Sequence, residues 1–273
     1  MGERLNRNKT TLGFLGVGNM GGALARAAAK VVSPDRIFLS NRTPAKAETL
    51  AAELHCAAAD NLTVAKTADY LFLGVKPQMM AELLEEIAPA LHARQGRFLL
   101  VSMAAGLSIE RIQELAGGDY PVIRIMPNTP VSIGEGMILY ACSESVTPEE
   151  LADFREMMSK AGLLSPLAES LMAAGGAVAG CGPAFVDLFL EALADGGVAC
   201  GLSRKQALEF AAQMTVGAAR LLLETKEHPG ALKDAVCSPA GSTIQGVRKL
   251  EEAGFRGAVI NAVIAAEEVS RNH

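Results

Sequence analysis

The sequence predicts an α/β fold: a doubly wound domain over residues 1–166, followed by an all-α domain over residues 167–273. Two observations carry this. In the first half, short apolar runs alternate with runs of helical period, the pattern of a parallel sheet with helical crossovers. Beyond Ser165-Pro166 the strand signal stops, and the remaining segments read as helices separated by Gly and Pro. A length of 273 residues is enough for two domains, each with its own core.

The elements follow in order. Leu12–Val17 reads as a strand that runs through a glycine-rich turn into a helix over Met20–Val31. Arg36–Ser40 is a second strand. Thr43-Pro44 then opens a helix, with Thr as N-cap and Pro at the first helical position. Further strands read at Tyr70–Val75, Arg97–Ser102 and Val122–Met126, with helices over Gln78–Leu91 and Ser108–Leu115 between them. Gly136–Ala141 is an added strand, and Thr147-Pro148-Glu149-Glu150 a capping box that opens another helix. In the second half, helices read at Pro183–Ala199, at Ser203–Thr225 with Ser203 and Gln206 as a capping box, from Ser242 to a C-terminal Gly254, and at Phe255–Arg271. The longest apolar stretch, Leu171–Val186, is broken by Gly175, Gly176, Gly180, Gly182 and Pro183. It is shorter than a membrane span and reads as buried helix and turn.

Composition narrows the function classes. Half of the residues are apolar and 20% are charged, and the mean hydropathy is +0.24. Such an apolar excess predicts burial between subunits, hence a homo-oligomer. The net charge of −5 and the lack of a Lys/Arg cluster argue against nucleic acid as a partner. Five Cys, none in a C-x-x-C pair, and four His away from metal-ligand spacing predict neither a structural metal nor a disulfide framework. The polar start, MGERLNRNKTT, lacks an apolar signal region, so a cytoplasmic protein without a membrane anchor is expected.

The first strand leads into Gly16-Val17-Gly18-Asn19-Met20-Gly21, a G-x-G-x-x-G turn in the setting of a Rossmann dinucleotide site. The first Gly permits the tight turn, the second admits the pyrophosphate to the backbone, and the third lets helix and strand pack closely. Asn19 and Met20 open the helix whose N–H groups and positive dipole end would face the phosphates. The end of the second strand holds no acid for the ribose hydroxyls of NAD. It reads Ser40-Asn41-Arg42-Thr43. Arg42 there would pair with a 2′-phosphate, with Ser40, Asn41 and Thr43 donating hydrogen bonds, so NADPH is the expected cofactor and NADH a weaker one. Val75-Lys76-Pro77-Gln78, Ala104 within Met103–Gly106, and Asn128 within Met126–Pro130 follow strands and should border the same crevice. Plain loop stiffening by proline would also account for the two proline-bearing segments.

The most specific stretch is His228-Pro229-Gly230-Ala231-Leu232-Lys233-Asp234-Ala235-Val236-Cys237-Ser238-Pro239-Ala240-Gly241-Ser242-Thr243-Ile244. A Pro/Gly/Ser turn precedes a helix whose N-terminal N–H groups could hold a carboxylate beside the Thr243 hydroxyl. The plainer alternative is that Ser242 or Thr243 caps the helix. His228 reads as a turn residue, since Pro229 pins its segment outside a helix.

With Gly13–Gly21, Val75–Gln78, Met126–Pro130, Gly180–Phe185, Ala194–Val198 and His228–Ile244 in this order along nearly the whole chain, the sequence resembles the pyrroline-5-carboxylate reductase family. The resemblance implies a Rossmann domain with a helical dimerisation domain. It also implies a dimer or a pentamer of dimers, and an active site completed by the helical domain of a neighbouring subunit. By the same resemblance Ser238, Gly241, Ser242 and Thr243 hold the carboxylate of 1-pyrroline-5-carboxylate, with the catalytic Thr243 near the imine nitrogen. The product would be L-proline. Three positions depart from the family: Cys181 and Cys237 stand in place of hydroxyl residues, and Ala240 in place of Gly. Two other activities are open to the same scaffold. A non-catalytic NADPH-binding regulator would keep only the cofactor motifs. A β-hydroxyacid dehydrogenase would carry a catalytic Lys in its Gly-rich helix, and Gly175–Glu191 holds none.

Overall fold

The computed structural model describes residues 10–271. The polar stretch read as lacking a signal lies, up to residue 9, outside the described residues. Packing divides the chain into two compact units, 10–181 with 266–271, and 182–265.

The first unit is built on one eight-stranded sheet. Its strands are β1 (Leu12–Leu15), β2 (Ile37–Ser40), β3 (Ala57–Ala58), β4 (Tyr70–Leu73), β5 (Leu99–Ser102), β6 (Val122–Met126), β7 (Gly136–Cys142) and β8 (Gly162–Pro166). The order is β3-β2-β1-β4-β5-β6-β7-β8. Every pair is parallel except β6 with β7. β1, β4 and β5 are buried along their whole length, as parallel strands covered on both faces must be. Phe14 and Phe72 face each other across β1 and β4 and stack with ring centroids 4.4 Å apart.

Helices cover both faces. The first face carries α1 (Asn19–Ala28) and α2 (Pro44–Leu54), together with α6 (Pro148–Met157), around Phe14, Leu24, Leu39, Phe72 and Phe154. On the other lie α3 (Asn61–Thr67), α4 (Met80–His92) and α5 (Ile109–Ala116), around Leu71, Leu84, Ile87 and Ile112. The strand order reverses at β1, which lies between β2 and β4, so a crevice opens beyond the C-terminal ends of β1 and β4.

The sequence reading and the structure differ at identifiable points. β3, α3 and β8 are additions. β8 pairs only with β7, and its Leu163 is 61% exposed, so a half-wet edge strand showed no alternating pattern. Thr43 is the N-cap of α2, but its side chain makes no capping bond. Thr147 and Glu150 do form a full capping box on α6.

Helical turns continue from Glu169 to Ala199, through α7 (Met172–Gly175), a π-helical turn at Gly176–Gly180 and α8 (Gly182–Ala199). This run is long and apolar enough, by length and composition, to cross a membrane. Within it, Leu171–Val186, which the sequence reads as buried helix and turn, has only Met172, Gly176 and Ala177 buried in the single chain. Met172 and Ala177 lie fully in the core of the first unit.

The second unit holds α8, α9 (Arg204–Thr225), α10 (Pro229–Ala235), α11 (Ser242–Glu252) and most of α12 (Phe255–Arg271). Ser203 caps α9 by accepting from the Gln206 N–H. The Gln206 side chain returns to the Ser203 hydroxyl rather than to its backbone, so the box is half made. α10 is a helix the sequence reading lacks, while His228 before it is extended and outside the helix, as read. The proline sits at the first helical turn, where a missing N–H costs nothing, and Nδ1 of His228 accepts from Gly230 N at 3.1 Å as the cap. Large apolar side chains of this unit stand in the open: Leu188 is 68% exposed, Phe210 54%, Leu223 68% and Ile260 57%.

Candidate active site

The glycine turn after β1 shows its requirements atom by atom. Gly16 has φ +101°, a backbone region that side chains disfavour. A Cβ on Gly21 would lie 2.1 Å from the Gly16 carbonyl oxygen, so the third glycine sets how closely α1 approaches the turn. Gly18 is different, since a Cβ there would meet nothing within 4 Å. Its bareness leaves open backbone at the head of α1, whose first N–H groups have no partner in their own helix. That is the cradle a pyrophosphate needs, and the residues fit the group.

Gly16 and Gly18 line a cleft of about 470 Å³ at the C-terminal ends of the strands. Asn41, Arg42 and Thr43 line it from the end of β2, and Val75 and Lys76 from the end of β4. Pro77 begins the short turn Pro77–Met79 just beyond. Arg42 is exposed, and among the described residues its only polar partner is the soft Met79 sulfur at 3.8 Å. Its guanidinium is therefore nearly uncommitted. The cleft also takes Lys46 from the first turn of α2, Asn61 from the start of α3, and Met79, Glu82 and Glu86 from the α4 side. These were missed. Lys46 lies in the first turn of α2, just beyond the Arg42 loop, and is legible as a basic residue at that helix start, whereas Asn61 and Glu86 reach the cleft through packing that no local pattern reveals.

Four expected cofactor residues are held differently. Ser40 is 4% exposed, and its hydroxyl donates to Asn61 Oδ1 at 2.7 Å, so its proton is not offered to a phosphate. Asn41 accepts from Val17 N at 3.2 Å and donates to the Thr43 carbonyl at 3.2 Å, which ties the glycine turn to the loop after β2. Asn128 donates to the Ala179 carbonyl at 2.9 Å and accepts from Met137 N at 2.8 Å, so its amide staples backbone segments together. Ala104 is buried, its small side chain part of the core on the α3–α5 face.

The second unit carries the other predicted group. Gly241 N donates to the Ser238 carbonyl at 3.0 Å, closing a turn with Pro239 and Ala240 at its centre. Ala240 has φ +60°, a position suited to glycine. A Cβ on Gly241 would fall 2.3 Å from Ser238 Oγ, so only glycine lets that hydroxyl lie over the turn. Gly241 is also the N-cap of α11, and no side chain makes a capping bond. Neither Ser242 nor Thr243 is thus a cap. Both are exposed in the first turn, where backbone N–H groups await an acceptor. Lys233 pairs with the neighbouring Asp234 on the preceding helix.

Among the described residues, no group of three or more His, Cys, Asp or Glu could hold a metal ion. The fold and the cleft define a dinucleotide-binding oxidoreductase of the Rossmann class with a helical second half. Comparison with known proteins is more specific. Residues 169–273 match the family model for pyrroline-5-carboxylate reductase dimerisation, and residues 11–106 that for NADP oxidoreductase, coenzyme F420-dependent. The chain is 42% identical to the pyrroline-5-carboxylate reductase of Escherichia coli (strain K12) over 95% of its own length and 96% of that protein's. It is 40% identical to the Methanosarcina acetivorans enzyme of the same name, over 95% and 96%. The crystal structure of Plasmodium falciparum pyrroline carboxylate reductase with NADP bound superposes with a TM-score of 0.86 at 31% identity, covering 97% of this chain and 98% of that one. The chain belongs to the pyrroline-5-carboxylate reductase family.

Proposed function

We propose that this protein reduces 1-pyrroline-5-carboxylate to L-proline with NADPH, the last step of proline biosynthesis. The observation that carries the reading is the turn at Ser238–Gly241. It leads into an uncapped helix start with the exposed hydroxyls of Ser242 and Thr243, the equipment for a small carboxylate beside a reacting nitrogen. NADPH, when bound, supplies the hydride. The N–H groups at Ser242 and Thr243 take the carboxylate, Ser238 and Gly241 shape the turn around it, and the Thr243 hydroxyl oxygen accepts from the N–H of the protonated ring nitrogen. A cyclic imine can enter already protonated, so the chain needs orientation more than a strong general acid. Gly16, Gly18, Asn19, Met20 and Gly21 receive the pyrophosphate. Arg42 and Lys46 favour the 2′-phosphate, and Val75, Lys76 and Pro77 border the nicotinamide half.

The protein works as a homo-oligomer in which the helical half of a neighbouring subunit completes each site. Dimers, or five dimers together, are the arrangements proposed. The apolar groove of about 590 Å³ along α8 and α12 supports this, as does the family match across those helices. A cytoplasmic setting is supported by five cysteines, none of them in a disulfide. Net charge favours a small-molecule substrate over nucleic acid, and the apolar helices are assigned to subunit contacts rather than to a membrane.

The test is loss of the reduced-nicotinamide absorbance on adding 1-pyrroline-5-carboxylate. Turnover with a preference for NADPH is expected. Tight NADPH binding without turnover would mark a regulator instead, and oxidation of a β-hydroxyacid would mark the dehydrogenase.

A further inference from the structure

Glu86 lies on α4, far in sequence from the glycine turn and from β2, yet it borders the same cleft. Its Oε2 accepts from Asn61 Nδ2 at 2.8 Å, while Asn61 Oδ1 accepts from the buried Ser40 hydroxyl at 2.7 Å. An ionised carboxylate can only accept. Turning the Asn61 amide over would set its oxygen against the Glu86 carboxylate, so the flipped form is disfavoured by repulsion and by a lost charge-assisted bond. Asn61 is half-buried and also lines the cleft, with one N–H and one oxygen lone pair left unused by these two bonds.

We infer that Glu86 is a positioning residue for the cofactor. It fixes the Asn61 amide so that a donor and an acceptor of set orientation face the adenosine half of the dinucleotide. β2 ends without the acid that usually fixes the ribose, and the chain Ser40–Asn61–Glu86 supplies an ordered polar contact from another direction. The inference rests on the cofactor reading of this cleft. Because the adenosine half is common to NADPH and NADH, the effect of Glu86 falls on both, unlike that of Arg42, which concerns the 2′-phosphate alone.

The experiment measures Kd and KM for both cofactors, with kcat, in Glu86→Ala, Glu86→Gln, Asn61→Ala and the Glu86→Ala/Asn61→Ala double variant. Thermal melting checks that each is folded. Glu86→Ala should weaken both cofactors roughly five-fold, the scale of one oriented hydrogen bond, with kcat at saturation retained. Glu86→Gln can donate as well as accept, so it no longer disfavours the flipped amide and should fall between wild type and Glu86→Ala, and Glu86→Ala should add nothing once Asn61 is gone. Three results would overturn the inference: unchanged cofactor affinities in Glu86→Ala, a Gln variant as tight as wild type, or tighter NADPH with NADH unaltered. The last would make Glu86 a charge acting on the 2′-phosphate. A wild-type protein that bound neither cofactor would instead remove the reading of the cleft itself.

Discussion

Arg42 is the residue proposed to set cofactor choice, and among the described residues its guanidinium meets only the Met79 sulfur. A guanidinium whose nearest partner is a thioether gives up little on meeting a phosphate. Arg42→Ala is expected to weaken NADPH by about ten-fold while leaving NADH nearly unchanged, read from cofactor titrations of the two side by side. Thr243→Ala should lower kcat/KM for the imine acid by about ten-fold, without altering the melting temperature, since the hydroxyl caps nothing. Ala240 makes a contrary prediction. At φ +60° its methyl opposes the native backbone, so Ala240→Gly should gain up to about 1 kcal/mol in chemical denaturation, partly offset by a more disordered unfolded chain.

At the scale of elements, the start of α6 is joined to the head of β5 through one buried carboxylate. Glu150 accepts from Arg97 Nε at 2.7 Å and from Thr147 N at 2.9 Å. Burial pushes its carboxyl upward, but these hydrogen bonds outweigh burial and hold it below the ordinary value of 4.5. The sign follows: the contribution is complete above pH 4.5 and is lost as pH falls through the lower folded value. Glu150→Gln should cost about 2 kcal/mol at neutral pH and flatten the acid side of a stability profile measured by urea titration.

The legibility of the elements followed their burial. β1 and β4 announced themselves as unbroken apolar runs because both faces are covered. β3 is two alanines with no β-branched residue, and α3 depends on Asp60 accepting from Thr63 N rather than on an apolar stripe. α10 went unread because proline was taken as a breaker, when at the first turn it is a starter. In the site, motif residues were legible since the backbone itself does the work at Gly16, Gly18 and Gly21. Side-chain commitments were not, because Ser40 and Asn128 are engaged by residues distant in sequence.

For the molecule as a whole, the apolar excess in the composition is located in the helical unit. Phe185, Leu188, Phe189, Phe255 and Val259 line its groove, and of these Leu188, Phe255 and Val259 stand exposed within the single chain. A charge on that surface should break the assembly. Leu188→Glu is expected to shift the sedimenting species towards monomer and to lower activity in parallel. An unchanged oligomer would place the subunit contact elsewhere.

The ties made by Glu169 reach beyond stability. Its Oε1 accepts from Ile109 N at 2.7 Å and from Arg124 Nη1 at 2.9 Å, so residues after β8 complete the nucleotide half rather than merely leave it. Anyone recombining this nucleotide half with a foreign helical half must carry residues 167–181 across with it. A chimaera joined at Pro166 would leave a guanidinium stranded in the interior and holes where Met172 and Ala177 had been.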